Sequence, residues 1–325
     1  MTEKSLSIAV VGTTSSGKSS FINALCGRFI LPVGVQETTR SMIEMIHTPN
    51  NLLISIENEG TLWKKITLPT DFKAREYLQN LPLKNPAAQS DLPITSRVYL
   101  SFAGDILPIF FSDGHNKEIT LKILDLPGYN YQGDENNWEI IRNGIQDVSV
   151  LMMLFNAEET DDVKEDKFLK KLLEYQYERG KSWKEIFFIL NRCDSFFRDD
   201  TGKSALSAKV ESLQKRITSA VNEIFKDSST PDIHLLSALP VMYGQVLFWN
   251  FEKLSASEKN SLLSQASLFA NQCLSEDVCN VLPRSSIKWT YSDIKSYRDQ
   301  VIKSCFYNIF MGSLKAYFSK SNALR

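Results

Sequence analysis

Gly12-Thr13-Thr14-Ser15-Ser16-Gly17-Lys18-Ser19 sets two glycines, a lysine and a hydroxyl at the spacing that wraps backbone around phosphate. The glycines let the chain pass close to phosphate oxygens, and successive N–H groups form an anion cradle at a helix start. Lys18 supplies a point charge to the β- and γ-phosphates, and the Ser19 hydroxyl suits a Mg²⁺ ion. Gly12, Thr14, Ser15, Ser16, Gly17, Lys18, Ser19 and Ser20 are the candidate phosphate-binding residues. A chance match on a glycine-bearing turn is the competing explanation. It is weakened by the apolar strand pattern Ile8 to Val11 directly before the loop and by helical spacing (Phe21, Ile22, Leu25) directly after it.

Two later strand exits complete a nucleotide site. Leu121 to Leu124 is an apolar strand closed by Asp125-Leu126-Pro127-Gly128, where Asp125 is placed to hold Mg²⁺ and the Gly128 N–H to contact the γ-phosphate. An ordinary strand-to-turn exit is the alternative, and downstream of a phosphate loop it is the weaker one. Ile186 to Leu190 leads into Asn191-Arg192-Cys193-Asp194. An aspartate there accepts two hydrogen bonds from the guanine N1–H and amino group, a donor pair adenine lacks. Asn191 ties this loop back to the phosphate loop, and Ser237-Ala238 presents the Ala238 N–H to the guanine oxygen. Asn-x-x-Asp alone more often caps a turn, and it gains weight from its place after a strand.

The elements that must hold these loops alternate. Apolar strands at Val148 to Phe155, Ile186 to Leu190 and Ile233 to Leu236 are separated by helices at Val163 to Arg179 and Leu206 to Phe225. This order predicts a mostly parallel sheet covered on both faces. Residues 50 to 120 break the rhythm, with strand pieces at Leu52 to Ile56, Arg97 to Phe102 and Ile119 to Ile123, a short helix at Asp71 to Leu78, and prolines at 82, 86 and 93 marking an irregular excursion. Beyond residue 252 two helices are expected, the second running unbroken from Tyr291 to Ser319. Its six basic residues from Lys295 to Arg325 face two acids, so it could lie on an anionic membrane or grip a partner; packing of its apolar stripe on the rest of the chain is the favoured alternative.

Composition excludes several classes. The 325 residues carry 37 basic and 38 acidic side chains, so no net field attracts nucleic acid. The longest apolar run, Val150 to Phe155, is far short of a membrane span, and the polar N-terminus does not suggest a signal peptide. Five cysteines without a C-x-x-C pair indicate neither a disulfide framework nor a zinc knuckle, and the three histidines are scattered. A cytoplasmic protein is expected.

Ser15-Ser16-Gly17-Lys18-Ser19-Ser20-Phe21-Ile22-Asn23-Ala24-Leu25, with Leu31-Pro32-Val33-Gly34-Val35-Gln36-Glu37-Thr38-Thr39-Arg40 and Pro93 to Tyr99, resembles the dynamin superfamily of GTPases, particularly its bacterial members. Thr39 follows Lys18 by 21 residues and Asp125 follows Thr39 by 86, a second interval much longer than in Ras-type GTPases. The resemblance implies an α/β phosphate-loop GTPase domain over residues 1–252 with a long insertion before the Asp-x-Pro-Gly motif, then a C-terminal helical segment over residues 253–325. It further implies GTP/GDP and Mg²⁺ as ligands, and Thr39 (Thr38 as fallback) as the switch residue joining Ser19 and Asp125 on the metal. Interferon-inducible GTPases fit the long excursion less well, and Asp194 disfavours an ATP-using kinase.

For hydrolysis, Tyr129 stands where Ras-type enzymes carry a water-orienting glutamine. The resemblance implies instead catalysis by the phosphate loop, with Ser15, Lys18, Thr39 and Gly128 as the catalytic group, K⁺ as a possible second cation and a nucleotide-dependent homodimer as the active form. Two departures stand against the family pattern: Thr14 where dynamins proper often have glutamine, and Arg192 where lysine is usual, its guanidinium expected to stack on the purine. Arg40 is more readily a solvated arginine than a charge stabiliser. A GTP-dependent switch that recruits partners, or a nucleotide-binding structural protein with negligible turnover, remain the other readings.

Overall fold

The computed structural model describes residues 4–34, 41–49, 53–58, 64–81, 95–111, 119–129, 135–197 and 200–320. In chain order the first half comprises β1 (Lys4–Gly12), α1 (Lys18–Cys26), β2 (Ile43–His47), β3 (Ile54–Asn58), β4 (Lys64–Leu68), α2 (Asp71–Gln79), β5 (Ser96–Leu100), α3 (Leu107–Phe111), β6 (Ile119–Asp125) and α4 (Glu135–Gly144). There follow β7 (Val150–Asn156), α5 (Asp162–Glu178), β8 (Ile186–Asn191), α6 (Asp200–Phe225), β9 (Ile233–Leu235), α7 (Ala238–Asn250), α8 (Ala256–Cys273), α9 (Glu276–Val281), α10 (Tyr291–Ser304) and α11 (Tyr307–Lys320).

The strands form one sheet in the order β4-β3-β5-β2-β6-β1-β7-β8-β9. β6, β1, β7, β8 and β9 run parallel, as the alternation of elements predicted. The apolar runs of β1, β7 and β8 are buried on both faces because successive side chains point to opposite sides, each covered by helices. Ile8 and Val10 of β1 join one core, with α1, α7, α8, α10 and α11; Ala9 and Val11 join the other, with α5 and α6. This two-sided cover places the C-terminal ends of β1, β6 and β8, from which the three loops emerge, along one edge.

The excursion is not irregular throughout. β2 pairs antiparallel with β6, β5 parallel with β2, and β3 and β4 close the sheet antiparallel, forming a four-stranded wing. Sequence reading did not find β2 or β4, because a one-sided strand such as Lys64–Leu68 has only alternating apolarity to mark it. The prolines at 82, 86 and 93 lie outside the described residues.

The C-terminal expectation needs correction. Among the described residues four α-helices, not two, follow residue 252, and the predicted helix from Tyr291 to Ser319 breaks at Cys305–Phe306. Phe306 takes a left-handed φ of 61° with neither glycine nor proline to announce it. The bend lets Cys305, Tyr307 and Phe310 all point inward, each 1% exposed or less. Phe310 meets Phe21 of α1 edge-on with centroids 5.5 Å apart, and Phe318 meets Phe110 at 4.7 Å. Arg298 of α10 makes a bidentate pair with Asp105 at 2.6 and 2.7 Å. The apolar stripe therefore packs on the sheet, as favoured, although Ile309, counted within it, is 62% exposed. Removing a ring as buried as Phe310 typically costs about 3–5 kcal/mol. Among the described residues no helix is long and apolar enough to cross a membrane.

Candidate functional site

A cleft of about 430 Å³ runs along the carboxyl edge of the parallel strands. At one end it meets the N-terminus of α1. The N-cap is Gly17 (φ 89°), with no side-chain cap and no acid in the first turn. Four other helices are capped at their starts: Thr70 and Asp161 cap α2 and α5, and capping boxes pair Ser255 with Glu258 and Thr290 with Asp293, while α7 and α9 begin without a side-chain cap. The first N–H groups of α1 are thus left for an anion. Ser15 is also left-handed (φ 64°), which turns successive amides toward one concavity.

Contacts from the neighbouring strands fix the loop. Lys18 Nζ donates to the Gly12 and Thr13 carbonyls at 3.3 and 3.0 Å, so the charge lies over the loop it would neutralise with. Tyr129 N–H donates to Gly12 O at 3.1 Å, joining the β6 exit to the loop. A Cβ on Gly128 would stand 2.8 Å from Thr14 Oγ1, so only glycine allows this approach. That Thr14 hydroxyl is buried and has no hydrogen-bond partner among the described residues. The Tyr129 ring stacks on Phe168 of α5, with centroids 4.7 Å apart.

The predicted metal ligands fit a hard cation. Ser19 Oγ donates to Asp125 Oδ2 at 2.9 Å, which brings together a hydroxyl and a carboxylate from two separate elements. An all-oxygen pair beside a phosphate cradle is the donor chemistry Mg²⁺ prefers, with the nucleotide and water supplying the rest.

At the other end Asn191 is the joint. Its Nδ2 donates to Ser16 O at 2.8 Å, as expected, and its Oδ1 accepts from Ala238 N–H at 2.9 Å. The Ala238 N–H expected to face a base oxygen thus donates to Asn191 here. Cys193 N–H donates to Leu236 O at 3.1 Å, pinning the turn that carries Asp194 into the cleft. Burial raises the Asp194 pKa, with Glu158 adding to the rise and Arg192 opposing it. Arg192 pairs with Glu158 at 2.7 Å, which sets its guanidinium at the cleft rim.

Of the predicted residues, Thr14, Ser15, Gly17, Lys18, Ser19, Ser20 and Gly128 line the phosphate end, and Asn191, Arg192, Asp194 and Ala238 the other. Gly12, Ser16, Asp125 and Ser237 stand behind the lining; Ser16, Asp125 and Ser237 are fully buried. Thr38, Thr39 and Arg40 lie outside the described residues. Sequence reading missed Phe269 and Gln272 of α8, Glu158, and Leu239, all of which line the cleft. No local pattern marks them, since α8 arrives from about 80 residues after the loop it covers.

The dynamin family model matches residues 8–193, more than half of the chain. Over 128 residues the chain is 34% identical to the dynamin-like GTPase msp1, mitochondrial, of Schizosaccharomyces pombe, and 31% identical to the dynamin-like GTPase MGM1, mitochondrial, of Saccharomyces cerevisiae. Each match covers 38% of this chain and 12% of the relative, so the chain spans a small part of either. A solved bacterial dynamin, described as an oligomerised pair that senses and tethers membranes, superposes on 98% of this chain and 44% of its own, at 15% identity and a TM-score of 0.48. The phosphate loop, the Asp125-to-Gly128 turn and strands β2 to β8 fall within the matched stretch, and on that match the chain belongs to the dynamin family.

Proposed function

We propose that the chain binds GTP in this cleft and hydrolyses it to GDP and phosphate. The observation that carries the proposal is the continuity of one cleft from the uncapped α1 N-terminus to Asp194, with Asn191 bonded to both ends. The phosphates lie in the loop, where the Ser15 to Ser20 amides and Lys18 offset their charge. Ser19 and Asp125 would hold Mg²⁺, with Thr39 as the switch ligand, and the ion would supply positive charge to offset that of the phosphates. Asp194 accepts the guanine N1–H and amino hydrogens, and the Arg192 plane flanks the base.

In the chemical step a water oxygen bonds to the γ-phosphorus, its proton passes to a γ-phosphoryl oxygen, the bond to the β-bridging oxygen breaks, and the electron pair leaves with GDP. Lys18 and the loop amides, Ser15 included, stabilise that leaving charge, while the Gly128 N–H holds the γ-phosphoryl oxygens. Thr14 Oγ1, buried and unpartnered beside Gly128, is the group that orients the water. Tyr129 takes no part, because its ring is committed to Phe168. A lone hydroxyl orients water less completely than a glutamine amide, which supports slow basal turnover raised by a second subunit across the nucleotide and by K⁺. The same stacking of Tyr129 also favours the second reading, a GTP-dependent switch or scaffold that recruits partners, with hydrolysis only resetting it.

Hydrolysis of GTP and ATP across a hundredfold protein dilution series, with and without K⁺, tests both. GTP-selective turnover per subunit that climbs with concentration supports the dimer-activated enzyme. Tight GTP binding with flat turnover supports the switch, and absence of GTP binding refutes both.

A further inference from the structure

Gln272 sits on α8, outside the alternation of strands and helices that builds the cleft. Its Nε2 lies 3.4 Å from Asp194 Oδ2 and 3.4 Å from the Asp194 backbone oxygen. One amide thus spans the backbone and the carboxylate of the same residue, which fixes the side-chain torsion between them. Phe269, one turn earlier on α8, lines the same end and stacks on Tyr243 of α7, with centroids 5.8 Å apart. α8 is itself seated in the core through Leu262, Leu263, Ala266 and Ala270, so the amide is presented by a rigid element. A carboxylate has about four acceptor sites, and one donor from Gln272 leaves room for two from a base.

Resting on the guanine reading of Asp194, we infer that Gln272 is a positioning residue for base recognition, holding the Asp194 carboxylate at the angle where it takes both guanine donors. The C-terminal helices then build part of the nucleotide selectivity, not only the cover of the sheet. Two-donor recognition is sensitive to carboxylate orientation, because a rotated carboxylate meets one donor and leaves the other unpaired. A free carboxylate at this site would also sample rotamers that face Glu158, whose charge disfavours its own.

The test uses the full chain and two probes, GDP and IDP, the second lacking the 2-amino group. Gln272→Ala should weaken GDP binding about tenfold and IDP binding less, so the GDP-to-IDP affinity ratio falls roughly threefold. Gln272→Glu, of equal size, keeps the packing and sets a second carboxylate against Asp194; it should lose more GDP affinity at neutral pH and recover part of it in mild acid. Unchanged affinities in both variants overturn the inference. Equal losses for GDP and IDP, with the ratio kept, also overturn it, since that pattern reports general damage to the pocket. A wild-type chain that does not prefer GDP to ADP instead removes the guanine reading beneath it, and that failure is seen before any variant is made.

Discussion

The two ends of the cleft are built in opposite ways. The phosphate end is nearly contiguous: Gly12 to Ser20 supplies cradle, charge and hydroxyl in nine residues, and the β6 exit adds Asp125 and Gly128. The base end is assembled from Asp194, Ala238 and, from a helix far along the chain, Phe269 and Gln272. A contiguous site depends on backbone conformation, so its sensitive positions are those with unusual φ. A distributed site depends on how helices pack, so its sensitive positions are the side chains that tie one element to another.

Lys18→Ala should give the largest effect, a loss of GTP turnover of more than about a hundredfold, because Lys18 Nζ is held over the loop where the phosphates would lie. Measured turnover within tenfold of wild type would contradict the phosphate assignment. Gly17→Ala strikes both ends at once. Its φ of 89° strains a side chain, and the new Cβ would stand 2.3 Å from Asn191 Nδ2. Displacing Asn191 frees Ser16 O and Ala238 N–H together, so GDP affinity should fall roughly tenfold or more and stability by about 2–3 kcal/mol, read by titration and denaturant melts.

Asp194 provides a pH test with two opposite slopes. Burial raises its folded pKa above the ordinary carboxylate value, so within that window the native state holds more protons than the unfolded chain. Its contribution to stability therefore falls as pH rises through the window and is constant above it. GDP binding needs the charged form, so affinity should rise across the same window, and Asp194→Asn should flatten both profiles. Arg192→Lys should give the smallest change, under about threefold in GDP affinity, because the Glu158 pair is more than a third exposed on both sides and such pairs contribute about 0.2–1 kcal/mol. A larger loss would mean that the flanking guanidinium plane holds the base more strongly than its place at the cleft rim accounts for.

The same contrast explains what the sequence made legible. The parallel strands announce themselves by runs such as Val150 to Phe155, and the phosphate loop by spacing, since both are local consequences of local residues. Asn191 could be placed because it follows such a strand. The bond from the Ala238 N–H to Asn191 Oδ1 was not foreseen, because nothing in the sequence shows that the two meet. The break at Phe306 was hidden for a related reason: a left-handed phenylalanine is imposed by the burial of Cys305, Tyr307 and Phe310 on either side, a tertiary demand with no glycine to mark it. The cover of the cleft by α8 belongs to the same class, since helical periodicity says which face is apolar but not which loop it lies on.

The most direct measurement is calorimetric titration of the full chain with Mg²⁺-GDP and with Mg²⁺-ADP, repeated with Asp194→Asn. The account predicts that GDP binds at least about a hundredfold more tightly than ADP, and that the substitution removes most of that difference while leaving ADP affinity nearly unchanged. Equal affinities for GDP and ADP in the unaltered chain, or a preference for GDP that survives Asp194→Asn, would contradict it.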